Sequence, residues 1–420
     1  MRLQYHSCGE VLGTASEKKD VAQVTKSDLE KKLPVPMCLF VLYQTASCKK
    51  FNLVFFLYVA ICKQTFDIYL PFIKYKIKFL RTKMTEYKIL ELFSGIGGMH
   101  SAFNYSKLRG QVHAAMDINT VANTVYEFKH PQVKLLNNNI EKLTPKFIQS
   151  LDVNMILMSP PCQPFTRVGN QKDIDDVRTD ALTHISDILP DCKNIEYILM
   201  ENVKGFEKSK ARDMYLEALN KSGFSFREFI LSPSQFGIPN TRHRYYCLAK
   251  KTNFNFPGGQ INEQLPSEVV KPLNESFIVK DIIEPDTEIS KDLLLDDKVL
   301  RRRVGLFDIA SPDSTNTICF TKAYTHYSEG TGSIFTPLSS KEVFEIFEKA
   351  KLLDPLSNEY LELIRSLRLR YFSPREVARL MSFPEDFNFP EVTSLRQKYR
   401  LLGNSINVLV VGELIKLLCS

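Results

Sequence analysis

The chain lacks several features that would place it in a restricted class. Its nine cysteines include no CxxC pair and follow no regular spacing, which argues against a zinc site or a disulfide framework and suits a reducing compartment. An apolar run at Phe51–Cys62 has 12 residues, whereas a membrane-spanning helix needs about 20. That run also lies too far from the N-terminus to be a signal peptide.

Most of the chain also lacks an excess of charge of one sign. Residues 1–83 carry 14 Lys and Arg against 6 Asp and Glu, whereas residues 84–420 carry 41 against 42. The formal net charge of +7 therefore comes from the N-terminal segment. Because the body is neutral, a nucleic acid must be bound by a local basic patch rather than by the overall field.

Residues 1–83 differ in composition from the rest, since the apolar run is followed by basic and aromatic residues at 72–78. Two interpretations are open, a membrane anchor or an upstream extension that is not part of the working protein. Met84 stands directly before the first well-formed element, and we therefore expect the second. A chain that begins at Met84 should accordingly fold without residues 1–83.

From Met84 to about residue 250, short buried strands alternate with segments of helical periodicity. This alternation predicts a doubly wound, mostly parallel α/β sheet that is covered on both faces. The predicted strands are Ile89–Leu92, Val112–Met116, Met155–Met158, Tyr197–Met200, Phe224–Leu231 and Tyr245–Ala249.

Residues 251–366 lose this rhythm and indicate a smaller, irregular domain. Helical signals return with the capping box Ser373-Pro374-Arg375-Glu376 and with an apolar helix over Ile406–Leu418, after a turn at Gly403-Asn404. We therefore predict one domain from residues 84–250 and 367–420, and a small domain from residues 251–366.

A glycine-rich turn, Phe93-Ser94-Gly95-Ile96-Gly97-Gly98, follows the first strand and opens a helix. Glycines let a ligand approach the backbone closely. Asp117 ends the second strand, where a carboxylate can hold ribose hydroxyls. The turn lacks the Lys-Ser/Thr of a phosphate loop, so the pattern favours a nucleoside-type cofactor. The alternative is a tight turn with Asp117 as a helix cap.

Cys162 lies in Ser159-Pro160-Pro161-Cys162-Gln163-Pro164-Phe165, directly after a buried strand. Prolines stiffen such a loop, and rigid loops at strand ends hold the chemistry of doubly wound proteins. Glu201 also follows a strand. Arg242 and Arg244 alternate, so their side chains point the same way and suit a phosphate or a carboxylate. The alternative interpretation of the two arginines is a surface ion pair. The alternative for Cys162 is a cysteine that happens to lie in a proline-rich turn.

These motifs, together with Gly403-Asn404-Ser405, occur in the order found in the cytosine-5 methyltransferase family, which the chain resembles over residues 84–420. It is most similar to the branch that methylates transfer RNA, because Pro-Pro-Cys-Gln-Pro-Phe-Thr-Arg surrounds Cys162 and Cys319-Phe320-Thr321 matches a tripeptide of that branch. The run at residues 367–372 is similar too. The resemblance implies a Rossmann-like, S-adenosylmethionine-dependent methyltransferase fold with a smaller target-recognition domain.

The resemblance implies that the Cys162 thiolate adds to carbon 6 of cytosine and that Glu201 hydrogen-bonds or protonates ring N3. Arg242 and Arg244 would steady the thiol loop, the glutamate or a phosphate. The methyl donor is S-adenosylmethionine, and its implied binding residues are Phe93, Ser94, Gly95, Gly97, Gly98, Asp117, Ile118, Asn139, Ile140, Pro160, Asn404 and Ser405.

Three residues need a separate interpretation. Asn139 stands where the family commonly has an acidic residue for the adenine amino group, and Asn240 where it often has glutamine. Cys319 is interpreted as a packed structural cysteine, because the apolar Ile318 and Phe320 flank it.

The implied substrate is a cytosine in the anticodon loop of a tRNA, expected to be the aspartate tRNA, because loops expose unstacked bases. Candidate nucleic-acid contacts are Arg167, Lys172, Arg178, Lys322 and Arg370. The alternatives are a DNA cytosine-5 methyltransferase with the same chemistry and a catalytically silent nucleic-acid-binding protein. We further expect a monomer that needs no metal and no membrane, located in the cytoplasm and also in the nucleus.

Overall fold

A seven-stranded sheet organises the protein, for which a computed structural model describes residues 86–161, 180–266, 276–285, 290–327 and 329–420. The strand order is β3-β2-β1-β4-β5-β7-β6. The first five strands in that order are parallel, and β7 runs antiparallel to β5 and β6. The strands are β1 Tyr87–Leu92, β2 Gly110–Met116, β3 Lys134–Leu136, β4 Met155–Met158, β5 Tyr197–Val203, β6 Ser225–Leu231 and β7 Arg244–Lys250. The predicted mostly parallel α/β sheet is confirmed.

Helices cover both faces of this sheet. In chain order the helices of the described residues are α1 Gly98–Ser106, α2 Thr120–Lys129, α3 Pro145–Ser150, α4 Asp180–Ile188, α5 Lys210–Lys221, α6 Asp297–Arg303, α7 Ser340–Ala350, α8 Asn358–Arg365, α9 Pro374–Leu380, α10 Leu395–Asn404 and α11 Val408–Leu418. Of these, α6, α7 and α8 do not pack on the large sheet but contribute to a separate apolar cluster.

Two cores follow from the alternation of side chains along each strand. Ile89 and Leu157 face the core that contains residues of α1, α2 and α9–α11. Leu90 and Ile156 face the opposite core, which contains residues of α3, α4 and α5. Because both faces are covered, the strands are largely apolar, and Glu91 of β1, Glu201 of β5 and Glu228 of β6 are buried carboxyl groups.

A second sheet of three short strands lies in the later part of the chain. It consists of β8 Ile309–Ala310, β9 Ile334–Phe335 and β10 Arg370–Tyr371, and it has its own apolar cluster with Leu300 and Ile364. Phe254, Val279 and Phe320, however, belong to the same core as Ile89 of the large sheet. The boundaries of a small domain at 251–366 stay a prediction, and residues 1–83 lie outside the described part of the chain.

The C-terminal helices differ from the sequence prediction. Gly403 and Asn404 are not a turn but the last residues of α10, and the helix breaks at Ser405–Asn407 instead. Asn407 caps α11, with its Oδ1 accepting a hydrogen bond from the Val410 N–H at 3.0 Å. Glycine is required at 403 because a Cβ there would lie 2.2 Å from the Lys322 backbone nitrogen.

The stretch Leu395–Leu418 is the one segment among the described residues that is long and apolar enough to cross a membrane. Within its most apolar window, 72% of the residues are buried inside the protein. This burial is what is expected of a core helix in a soluble protein, so the stretch gives little support to a membrane span.

Candidate active site

A cavity of about 450 Å³ opens where β1, β2, β4 and β5 end. Its walls contain the glycine turn, Asp117, the exit of β4 at Ser159–Pro161, Glu201, both predicted arginines and the segment Gly403–Ile406. Ligands of open α/β sheets bind at the carboxyl ends of the strands. The sequence motifs, which are far apart along the chain, therefore meet in one place.

The glycine turn is held in a left-handed backbone. Gly95 has a φ of 53° and Gly97 a φ of 81°, and the non-glycine Phe93 also has a positive φ of 55°. A Cβ on Gly97 would lie 2.9 Å from Nε2 of His130. The turn thus needs glycine at 97 both for its conformation and for close packing.

Asp117 connects the turn to the next strand. Its Oδ2 accepts a hydrogen bond from the Gly95 N–H at 2.8 Å, and its Oδ1 accepts one from the Asn119 N–H at 2.8 Å. The N-cap of α2 is Asn119, whose Oδ1 accepts from the Val121 and Ala122 N–H groups. Asp117 therefore fixes the turn rather than capping the helix, and it keeps its carboxylate on the cavity wall.

Eleven of the twelve predicted cofactor residues line the cavity, all except Gly97. Their chemistry fits S-adenosylmethionine. Ile118 is 69% exposed and offers an apolar surface beside Phe93, while the buried Ser94 hydroxyl has no hydrogen-bond partner among the described residues. Asn139 is partly occupied, since its Oδ1 accepts from the Glu141 N–H at 3.2 Å as the cap of a short 3₁₀ turn.

Glu201 and Arg244 face each other on β5 and β7, with 3.3 Å between Oε1 of Glu201 and Nε of Arg244. Burial raises the pKa of the Glu201 carboxyl above its ordinary value, although the guanidiniums of Arg244 and Arg242 oppose that effect. A carboxyl group with a raised pKa keeps its proton to a higher pH than a free glutamate does and can deliver that proton to a base. This is the chemistry that protonation of a pyrimidine ring nitrogen requires.

Arg242 is buried and hydrogen-bonds to two segments that are distant from it in the sequence. Its Nη1 donates to the carbonyl of Phe320 at 2.9 Å, and its Nη2 donates to the carbonyls of Gly403, at 3.0 Å, and Ser405. It thereby fixes the cavity wall beside Asn404. The structure gives Arg242 a holding role and leaves Arg244 as the arginine in contact with Glu201.

Cys319 does not have the purely apolar surroundings expected of it. Nη1 of Arg242 donates to its Sγ at 3.2 Å, and Nη2 of Arg244 lies 3.9 Å from the same sulfur. Burial raises the pKa of the Cys319 thiol, but the two guanidiniums outweigh burial and the pKa is lowered overall. The expectation of apolar surroundings for this cysteine is corrected, because apolar sequence neighbours do not show which side chains the sulfur faces.

Four predicted residues, Cys162, Arg167, Lys172 and Arg178, lie outside the described residues, which stop at Pro161 and resume at Asp180. Their roles stay predictions. Ser159, Pro160 and Pro161, which directly precede Cys162 in the sequence, line the cavity.

The two remaining nucleic-acid candidates have different positions. Lys322 lines the cavity. Arg370 is 3% exposed, and its two terminal nitrogens donate to the carboxylate oxygens of Glu376 at 2.8 Å each. A guanidinium buried in such a pair does not reach a nucleic acid, so its assignment to nucleic-acid binding is corrected.

Arg400 is a cavity residue that sequence reasoning missed. It is exposed on α10 and lies four residues before Asn404, which places both side chains on one helix face. That spacing was the available signal. Among the described residues there is also no cluster of His, Cys, Asp and Glu able to hold a metal ion, and the expectation that no metal is needed stays a prediction.

Comparison with known proteins gives consistent findings. The family model for C-5 cytosine-specific DNA methylase matches residues 87–419. The chain is 48% identical over 335 residues to the tRNA (cytosine(38)-C(5))-methyltransferase of Spodoptera frugiperda, covering 79% of this chain and 99% of that protein. It is 39% identical over 376 residues to a DNA (cytosine-5)-methyltransferase of Dictyostelium discoideum, covering 80% and 95%. The crystal structure of a Spodoptera frugiperda DNMT2 mutant superposes with a TM-score of 0.73 at 46% identity, covering 80% of this chain and all of that one.

Proposed function

The chain belongs to the C-5 cytosine-specific DNA methylase family, and from this membership we propose that it is a transfer-RNA methyltransferase that modifies carbon 5 of a cytosine in an anticodon loop. The observation that carries the proposal is one cavity that joins the glycine turn and Asp117 to Glu201 and Arg244. The high identity to relatives named as tRNA methyltransferases supports the RNA substrate. We further propose the aspartate tRNA as the substrate, a monomeric state, and a location in the cytoplasm and nucleus.

The proposed reaction begins with the Cys162 thiolate, which forms a bond to carbon 6 of the cytosine. Glu201 delivers a proton to ring N3, or shares one with it, as negative charge develops there, and its raised pKa supports that role. Arg244 holds the Glu201 carboxyl in place through its Nε. S-adenosylmethionine, when bound, would supply an electrophilic methyl group for carbon 5. The proton of carbon 5 then leaves to solvent, the N3 proton returns to Glu201, and the bond between carbon 6 and the Cys162 sulfur breaks, which restores the ring and the thiolate.

The residues proposed to hold the methyl donor are those of the cavity wall. We propose that Asp117 binds the ribose hydroxyls and that Phe93 and Ile118 contact the adenine, since all three line the cavity. The buried Ser94 hydroxyl, which has no hydrogen-bond partner among the described residues, is a further candidate donor. Lys322 and the exposed Arg400 also line the cavity, and we propose that they bind phosphates of a nucleic acid. Because the target base must leave any stack to reach this cavity, a loop is a better substrate than a helix.

The experiment is methylation of tRNA by the protein, read by bisulfite sequencing. We expect one cytosine in an anticodon loop to be methylated by the wild type, none by Cys162→Ala, and the same cytosine by the matched variant Cys192→Ala, whose thiol lies in the core away from the cavity. The relative named as a DNA methyltransferase gives a reason to assay duplex DNA in parallel. Methylation of DNA but not of tRNA would overturn the RNA proposal and support the second candidate.

A trapping experiment tests the alternative of a catalytically silent binding protein. RNA that carries a mechanism-based cytosine analogue should form a covalent complex with the wild type and none with Cys162→Ala. Binding without a covalent complex would contradict the proposed reaction. A chain of residues 84–420 should behave like the full chain in both assays, and its failure to fold would contradict the view that residues 1–83 are dispensable.

A further inference from the structure

A carboxyl group that the proposed reaction does not use lies directly beneath the glycine turn. Glu91 of β1 is completely buried. Its register neighbours are Ala115 of β2 and Leu157 of β4, and neither can pair with a charge. A buried carboxyl group is costly unless it is hydrogen-bonded or neutral, so its contacts and protonation state call for a physical explanation.

The contacts of Glu91 run to the turn by two routes. Its Oε1 accepts a hydrogen bond from the His100 backbone N–H at 3.3 Å, at the opening of α1. Its Oε2 accepts one from the Tyr126 hydroxyl at 2.8 Å, and that hydroxyl lies 3.0 Å from Nδ1 of His100. The His100 ring stacks on His130 at 3.7 Å between centroids. His130 is the residue that a Cβ on Gly97 would meet.

The ionisable groups around Glu91 offer it no positive partner. Burial lowers the pKa of His100 on α1 to about 3 and that of His130, after α2, to about 4, so both rings are neutral at pH 7. Asp117, beyond β2, acts on Glu91 as a like charge. Lys129 and Asp386 act on His130 with opposite signs. Burial raises the pKa of Glu91 to about 8, against the hydrogen bonds from Tyr126 and the α1 backbone.

We propose that Glu91 is a positioning residue for the methyl donor. Binding of the donor favours ionisation of Glu91, and ionisation of Glu91 favours binding of the donor. The inference rests on the proposed function. The Glu91 carboxyl accepts from the N–H of His100, and Gly98 and Met99, which directly precede His100, line the cavity. S-adenosylmethionine carries a fixed positive charge that its demethylated product lacks. A cation in the cavity therefore stabilises the Glu91 carboxylate behind the cavity wall. The carboxylate in return holds the start of α1, directly after the glycine turn, through the His100 N–H.

The test is the dissociation constant of S-adenosylmethionine from pH 6 to 9.5, measured by calorimetry for the wild type and for Glu91→Gln. Glutamine keeps the acceptor for the His100 N–H but mimics the protonated acid. Each unit by which the bound cation lowers the pKa of Glu91 corresponds to about tenfold in affinity. For a shift of one unit we expect the ratio of the variant to the wild-type constant to rise from near 1 at low pH to about tenfold above pH 9. With the demethylated product the ratio should stay near 1.

A ratio that does not change with pH, or that changes equally for both ligands, would overturn the proposal. Tyr126→Phe keeps the proposal testable if Glu91→Gln does not fold. Loss of the phenol donor makes ionisation of Glu91 harder. The pH midpoint of the affinity of Tyr126→Phe should therefore lie above that of the wild type, and an unchanged midpoint would also overturn the proposal. Tyr215→Phe, another fully buried tyrosine whose hydroxyl has no partner among the described residues, should leave the midpoint unchanged. A wild type that binds neither ligand at any pH would instead refute the proposed function.

Discussion

The buried ion pair between Arg370 and Glu376 leads to a prediction that separates a structural role from an RNA-binding one. The two side chains are 4% and 0% exposed. Glu376 also accepts the N–H groups of Ser373 at 2.7 Å and Glu284 at 3.0 Å. Arg370→Met keeps most of the apolar stem but leaves the carboxylate buried without its cation. Removing one partner of such a pair costs about 3–5 kcal/mol.

The expected change in the melting temperature follows from this energy and the size of the folded unit. At about 2.1 cal/mol/K per residue, the unit Glu86–Ser420 has an unfolding entropy of about 0.7 kcal/mol/K. A loss of about 3–5 kcal/mol therefore lowers the melting temperature by roughly 4–7 °C. Because the two backbone donors of Glu376 remain, we expect a value near the lower end. Calorimetry or thermal unfolding by circular dichroism measures it.

Two controls sharpen the result. Arg365→Ala breaks an ion pair with Asp297 whose side chains are 44% and 51% exposed, so it should change the melting temperature little. Arg370→Met combined with Glu376→Gln removes the stranded charge and should recover part of the loss. Folded Arg370→Met protein should bind tRNA like the wild type. A variant with an unchanged melting temperature and weakened tRNA binding would refute the reasoning.

Three further predictions concern the cavity and its surroundings. Gly97→Ala should weaken binding of S-adenosylmethionine and lower stability more than Gly223→Ala. Both residues have a positive φ, which costs a residue with a side chain about 1–2 kcal/mol. Of the two, only Gly223 has open space for a Cβ. Cys319 should be alkylated by iodoacetamide at neutral pH faster than Cys192, because burial raises the pKa of the Cys192 thiol to about 11. Arg244→Met should slow the reaction of Cys319. Equal rates for the two cysteines would contradict the effect of the guanidiniums. The pKa of Glu91 rises from 4.5 to about 8 on folding, so its contribution to stability is present below pH 4.5 and is lost as the pH rises toward 8. The wild type should therefore lose stability relative to Glu91→Gln over that range, which urea titrations measure.

The sequence was sufficient for the parts of the fold that repeat a local pattern. Alternating apolar strands and helices predict the parallel half of the sheet, and Asp117 and Glu201, which the sequence predicts at strand ends, both lie at the cavity. The position of β7 between β5 and β6 was not predictable in the same way. Strand order depends on how sheet edges pair across long separations, and no local pattern records it.

The errors have one physical cause, which is that local pattern does not identify a distant partner. Arg370 lies in the alternating run Leu367-Arg368-Leu369-Arg370, which is typical of a surface, yet it is buried against Glu376 of the capping box. Cys319 has apolar neighbours in sequence but faces two arginines, Arg244 at the start of β7 and Arg242 just before it. Gly403 is typical of a turn, yet its requirement comes from the backbone at Lys322.

The hydrogen bonds of Arg242 to the carbonyls of Gly403 and Ser405 have a consequence for synthesis of the protein. The glycine turn and Asp117 are translated well before the opposite wall of the cavity, Gly403–Ile406. A nascent chain that lacks this segment has half a cavity and no anchor for Arg242. The complete cavity therefore forms only after residues 403–406 have been translated, and a chain that ends before them lacks one wall of the proposed binding site.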